Sequence, residues 1–186
     1  PDDIAAYSVI LHLRDPRDVL TSLYYSHVYS HRRKEGRFNP SDEQRKQWEE
    51  EGVDAYALKN VALYKSRYEI LLSALLGKEN VILLKYEDMV ADYSTWLRRF
   101  LSGFAHLPLP SKRTLGIFTS SNTLESVHER LYKKYRNDFI PPEEDVHKHI
   151  RQLMPGDHER KLTPETIAML NTELGDTLRL LDYAIH

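Results

Sequence analysis

Residues Tyr7 to His27 read YSVILHLRDPRDVLTSLYYSH, and the periodicity of the chain changes inside this stretch. Ser8 to Leu13 carries Val9, Ile10, Leu11 and Leu13, with His12 as the single interruption. So short and nearly unbroken an aliphatic run predicts a strand buried on both faces of a parallel sheet. The corner Arg14-Asp15-Pro16-Arg17-Asp18 then switches the pattern. Asp15 suits the N-cap, Pro16 the first helical position, where its missing N–H costs nothing, and Asp18 the first turn, where the helix dipole favours an anion. Val19, Leu20, Leu23 and Tyr24 follow at helical spacing.

A strand that runs into a helix N-terminus is a standing anion site, because the first amides of the helix lack intrahelical partners. The corner adds Arg14 and Arg17, whose planar guanidinium forks match phosphate geometry. Arg14, Asp18 and Ser22 are each four apart, so Ser22 presents its hydroxyl on the side of Asp18, one turn further along. The same residues also read as a capped helix start with its arginines paired to Asp15 and Asp18 and a surface serine. Physical chemistry alone leaves the two readings level.

Arg14-Asp15-Pro16-Arg17-Asp18-Val19-Leu20-Thr21-Ser22 resembles a motif of the sulfotransferases that use 3'-phosphoadenosine 5'-phosphosulfate (PAPS). The motif reads Arg-(Asn/Asp)-Pro-x-Asp-Val-x-x-Ser followed by aromatics, and it binds the 3'-phosphate of the cofactor. The resemblance implies that role for Arg14 and Ser22. It also implies an α/β fold similar to the nucleotide kinases, a P-loop-like parallel sheet flanked by helices.

Further along, Tyr29 to Gly52 is polar and punctuated by Gly36, Asn39-Pro40 and Gly52, which predicts loop with at most a short helix around Asp42 to Glu50. In the resembling family this region lies near the acceptor pocket, where Phe38 and Trp48 would be the residues to touch substrate; a solvated insertion is the plainer reading. Asp54 to Leu76 reads as a long helix ended by Gly77, with Tyr68 on its apolar face as a core residue. Asn80 to Asp88 reads as a second strand, four consecutive aliphatics again implying burial on two faces. Ligands of open α/β sheets bind off the carboxyl ends of strands. The family carries a similar Tyr-Glu-Asp at such an end, and the resemblance puts Tyr86 at the adenine ring. Helices are expected at Tyr93 to Phe104 and Leu124 to Tyr135, and a last one capped by Thr163 with Pro164 in its first turn.

The segment before that last helix, His149 to His158, resembles the family's second cofactor signature, Arg-Lys-Gly-x-x-Gly-Asp-Trp-Lys before a Thr-headed helix. Arg151, Gly156, Asp157 and Thr163 fall in register, and Arg151 is the implied second ligand of the 3'-phosphate. Gln152, Leu153, His158 and Glu159 depart from the signature. Thr119 to Asn122 resembles the Thr-Ser-Phe segment on the adenine side, with Ser121 where an aromatic is usual; helix capping accounts for these residues equally. The family's dimer motif is broken at Glu159, Pro164 and Ala168, so the oligomeric state stays open.

Composition sets the outer bounds. A chain of 186 residues is long enough for one domain with a real core, and a single sulfotransferase-like domain over 1–186 is expected. A net charge of -2 argues against a nucleic-acid binder. The absence of cysteine removes disulfides, thiolate metal sites and a cysteine nucleophile; it fits a reducing compartment, and a cytoplasmic location is expected. No apolar run approaches the roughly 20 residues of a membrane span. His27 and His31 form an i, i+4 pair without a third ligand, read as surface histidines and not as zinc ligands.

Two strands patterned for burial on both faces need more neighbours, since sheets average about five or six strands. The first strand, the Gly- and Lys-bearing loop for the 5'-phosphosulfate and the general-base histidine of the family are all expected upstream of Pro1. On this reading the 186 residues supply the 3'-phosphate and adenine side of a PAPS site through Arg14, Ser22, Tyr86 and Arg151. They contain no catalytic residue and no metal, and by themselves are expected to be inactive. The acceptor is a hydroxyl of a small molecule, carbohydrate or lipid. The alternative is a PAPS- or PAP-binding module, or a degenerate homologue, without transfer activity.

Overall fold

The computed structural model describes residues 4–30, 40–105, 123–139 and 154–185. Contacts gather the chain into two compact units, Pro1–Leu13 with Leu75–Pro141 and Arg14–Ala74 with Pro142–His186.

The first unit holds a parallel pair of strands, β1 (Val9–Leu13) and β2 (Val81–Lys85). Their register sets Val9 opposite Val81 and Leu13 opposite Lys85. The Asn80 side-chain amide ties the approach to β1 by donating to the Ile4 and Tyr7 carbonyls at 2.8 and 2.7 Å. Leu11, Leu13 and Leu84 are buried, whereas His12 is exposed and Val9, Ile10 and Val81 to Leu83 are half-buried. Full burial on both faces is therefore not what the described residues show. From Leu11 to Leu13 burial alternates, the pattern of a sheet covered on one face.

β2 also stops earlier than its sequence suggests. Tyr86 opens a helix, α3 (Tyr86–Ala91), whose first turn takes Glu87 and Asp88, as the helix dipole favours. Asp92 caps α4 (Tyr93–Ser102) by accepting from the Thr95 amide at 3.0 Å, and Thr123 caps α5 (Leu124–Tyr135) in the same way. These two helices bury Leu97, Leu101 and Val127 against each other under Tyr93, Trp96, Phe100 and Tyr132.

The second unit is helical. α1 (Pro16–Tyr25) passes into a π-helical turn, Ser26–Ser30. α2 (Asp42–Leu75) is interrupted at Gly52, whose φ of 81° and ψ of 172° lie outside the helical region. The short helix and the long helix expected on either side of Gly52 are the two halves of α2. α6 (Asp157–Lys161) and α7 (Pro164–Leu180) complete the unit. Leu20 of α1, Ala57 and Val61 of α2, and Leu162, Leu170, Leu174 and Leu178 form one core. The i, i+4 spacing of the α7 leucines lays them along one side of that helix. A second cluster gathers Tyr24, Val28 and Tyr56 with Trp48. No described helix is long and apolar enough to cross a membrane.

Candidate functional site

The start of α1 is built by local chemistry. Asp15 Oδ1 accepts the Arg17 amide at 2.9 Å, which makes Asp15 the N-cap, and Pro16 occupies the first turn. The two arginines of the corner then part company. Arg17 is 4% exposed and gives Nε and Nη2 to the two oxygens of Asp15 at 3.0 and 2.6 Å. Its Nη1 donates to Asn171 Oδ1 at 2.7 Å and its Nη2 to the Ala184 carbonyl at 3.0 Å. Arg17 is thus a buried brace between α1 and the α7 region. The reading of it as a phosphate fork is corrected here, because its donors are already committed inside the protein.

Arg14 is placed differently. Its side chain is 17% exposed, and Nη2 reaches Asp18 Oδ2 at 3.3 Å. Its carbonyl accepts the Tyr68 hydroxyl at 2.6 Å, so α2 fixes the backbone from which the guanidinium projects. Ser22 is half-buried one turn beyond Asp18, and its hydroxyl makes no hydrogen bond with any described residue. Arg14 thus meets Asp18 with a partly accessible guanidinium, and Ser22 stands four residues past Asp18 on α1. That donor set fits a doubly charged oxyanion such as a ribose phosphate.

Asp18 is the residue whose role the sequence did not disclose. Its side chain is fully buried and accepts four donors. The His158 amide and ring Nδ1 lie 2.9 and 2.6 Å from Oδ1, and the Gly156 amide lies 2.9 Å from Oδ2, which also takes Arg14. Asp18 ionised is acceptor-only, so His158 Nδ1 carries the hydrogen. Burial pushes the carboxyl up, but the His158 hydrogen bonds and the Arg14 charge outweigh it and hold the group at about 2. The folded value lies below the unfolded one, so the stabilisation is present above about pH 4 and is lost as pH falls towards 2. About 2 kcal/mol of the protein's acid sensitivity is therefore expected to vanish in Asp18→Asn. Urea midpoints measured from pH 5 to pH 2 check this, and parallel curves for the two proteins would refute it.

The turn that meets Asp18 is also shaped for the purpose. Gly156 has φ of 77° and ψ of 25°, a left-handed conformation that L side chains resist. Arg160 also ties the turn, donating to the Pro155 and Met154 carbonyls at 3.2 and 3.3 Å.

Of the other expected site residues, Tyr86 is half-buried at the first position of α3, in the first unit, whereas Arg14 and Ser22 belong to the second. Arg151, Phe38, His31 and the Thr119–Asn122 segment lie outside the described residues. His27 Nδ1 is 2.6 Å from the Tyr56 hydroxyl, and its ring stacks on Trp48 at 5.6 Å. Trp48 is accordingly part of an aromatic cluster. Among the described residues no group of acidic, histidine or cysteine side chains could hold a metal.

The sequence matches the sulfotransferase domain over residues 5–180, nearly its whole length. The chain belongs to the sulfotransferase family. No curated protein and no solved structure matches it. The match runs through both compact units of the sulfotransferase chain and includes Arg14, Ser22 and Tyr86. Family membership places the chain among transferases of the sulfuryl group on an α/β framework, and the parallel β1–β2 pair with its flanking helices is consistent with that framework. The second signature contains Gly156 and His158, but it does not show that they serve Asp18. They meet Asp18 across 138 and 140 residues, a separation no local pattern reports.

Proposed function

We propose that this sulfotransferase takes PAPS as its donor and a hydroxyl as its acceptor, with Arg14 and Ser22 gripping the 3'-phosphate. The observation that carries the reading is the contrast at the start of α1. Arg17 is spent on Asp15, Asn171 and Ala184, while Arg14, beside Asp18, stays partly exposed. PAPS would supply the sulfuryl group, which passes to the acceptor oxygen as the S–O bond to the 5'-phosphate breaks, releasing adenosine 3',5'-bisphosphate and the proton of the acceptor hydroxyl. Arg14 neutralises charge on the ribose phosphate and Ser22 donates to it. Binding energy gathered at this remote phosphate orients the reacting end of the donor, which is how non-reacting parts of a substrate assist catalysis.

Arg14→Ala is expected to weaken binding of adenosine 3',5'-bisphosphate by about 2 kcal/mol, roughly thirtyfold, as loss of a charge-assisted hydrogen bond should. Ser22→Ala costs about 1 kcal/mol, the scale of a neutral donor. Titration calorimetry on the full-length protein checks both, and an unchanged Arg14→Ala affinity would remove the site.

A second reading is a nucleotide-binding module without transfer activity. It rests on the same grip, since Arg14 and Ser22 could hold the nucleotide whether or not a sulfuryl group moves. Release of adenosine 3',5'-bisphosphate from PAPS by the full-length protein, followed against a panel of hydroxyl acceptors, separates the two.

A further inference from the structure

We propose that Asp42–Glu51, the first half of α2, is a hinged lid over the Tyr56–His27 pair, with Gly52 as its hinge and the Glu51–Lys59 bridge as its latch. The two halves of α2 differ in what they bury. No residue from Asp42 to Glu51 is buried, whereas Tyr56, Ala57, Val61, Tyr68, Leu72 and Leu75 of the second half are. A helix that gives nothing to a core lies at the low end of local stability. What this half does is cover. Tyr56 is 2% exposed, and its hydroxyl lies 2.6 Å from His27 Nδ1. Trp48 stacks on the His27 ring at 5.6 Å and meets the Tyr56 ring edge-on at 5.4 Å. Arg45 Nη1 donates to the His27 carbonyl at 2.6 Å.

Gly52 supplies the bend, at φ 81° and ψ 172°, a backbone region open to little besides glycine. Nothing lies within 4 Å of the place a β-carbon would take there, so no neighbour wedges the backbone into that form. The competing form is one continuous helix. It regains the intrahelical bonds that a break forfeits and gives up the packing of Trp48. Glu51 Oε1 accepts Lys59 Nζ at 2.6 Å across the break, and Gln47 Nε2 at 2.9 Å. In an unbroken helix residues eight apart stand about 12 Å along the axis, so the bridge favours the bent form. The side chain of Lys59 is 56% exposed and that of Glu51 24%. An ion pair so open to water holds weakly and yields to salt, as a latch that releases must.

The experiment is double electron–electron resonance on the full-length protein, with nitroxides on Lys46→Cys and Ser66→Cys, exposed positions in the two halves. The 186 residues contribute no cysteine of their own. A continuous helix sets the two backbone positions about 30 Å apart, and the bent form sets them closer. The parent is expected to show the shorter separation with a minor population near the longer one. Lys59→Gln should raise that population about twofold, and Gly52→Ala, which strains only the bent backbone, should make it the major one. Acetylation of Tyr56 by N-acetylimidazole, located by peptide mass, is expected to rise in step. A short separation kept by Gly52→Ala overturns the hinge, and a long one with Tyr56 still protected overturns the lid. Should Gly52→Ala not fold, populations that neither Lys59→Gln nor about 1 M salt moves would sink the proposal.

Discussion

Arg17→Ala is expected to unfold at markedly lower urea than the parent protein, with a loss of about 3–5 kcal/mol. The guanidinium is buried and directs bonds to Asp15, Asn171 and Ala184. Truncation strips the guanidinium from Asp15, itself 5% exposed, and takes a donor from the Asn171 carbonyl oxygen. Breaking a buried pair from one side costs far more than the pair contributes, since the remaining charge keeps its desolvation penalty. Arg17→Lys is expected to recover only part of the loss, because an ammonium cannot reproduce a fork that meets both oxygens of one carboxylate. Far-ultraviolet circular dichroism along a urea series reads the effect. A loss under about 1 kcal/mol would mean that water replaces the guanidinium, and the brace would have to be abandoned.

The second large effect is expected at Asp18. Asp18→Ala deprives the Gly156 amide, the His158 amide and the His158 ring of their acceptor at once, and releases Arg14. Several donors left in a buried site again place the cost at about 3–5 kcal/mol. Asp18→Asn should cost less, because its carbonyl still accepts from one side while its amide group opposes donors on the other. Amide hydrogen exchange locates the damage. Gly156 and His158 are expected to lose protection ahead of the α7 core around Leu174, and unchanged exchange at both would contradict the arrangement.

The beginning of α1 was legible in the sequence because capping is local. Asp15 accepts an amide two residues away and Pro16 fixes the first turn, so the signal and its effect lie in the same few residues. The same holds for Thr163 at the head of α7 and for the break at Gly52. The fates of Arg14 and Arg17 were not legible. Both are arginines beside an aspartate, and what divides them is Asn171 and Ala184, 154 and 167 residues further on. The end of β2 escaped for another reason. A Tyr-Glu-Asp run after four aliphatics suits the close of a strand as well as the first turn of a helix, and the chain takes the second course. The partners of Asp18 escaped because a carboxylate in a first turn already has a sufficient local explanation.

The bond from Arg17 to the Ala184 carbonyl bears on how this protein is handled at the bench. Trimming the chain from Ala184 onward would take an acceptor from a cation buried 167 residues earlier. Any form shortened within this segment should be checked for melting temperature before its activity is interpreted.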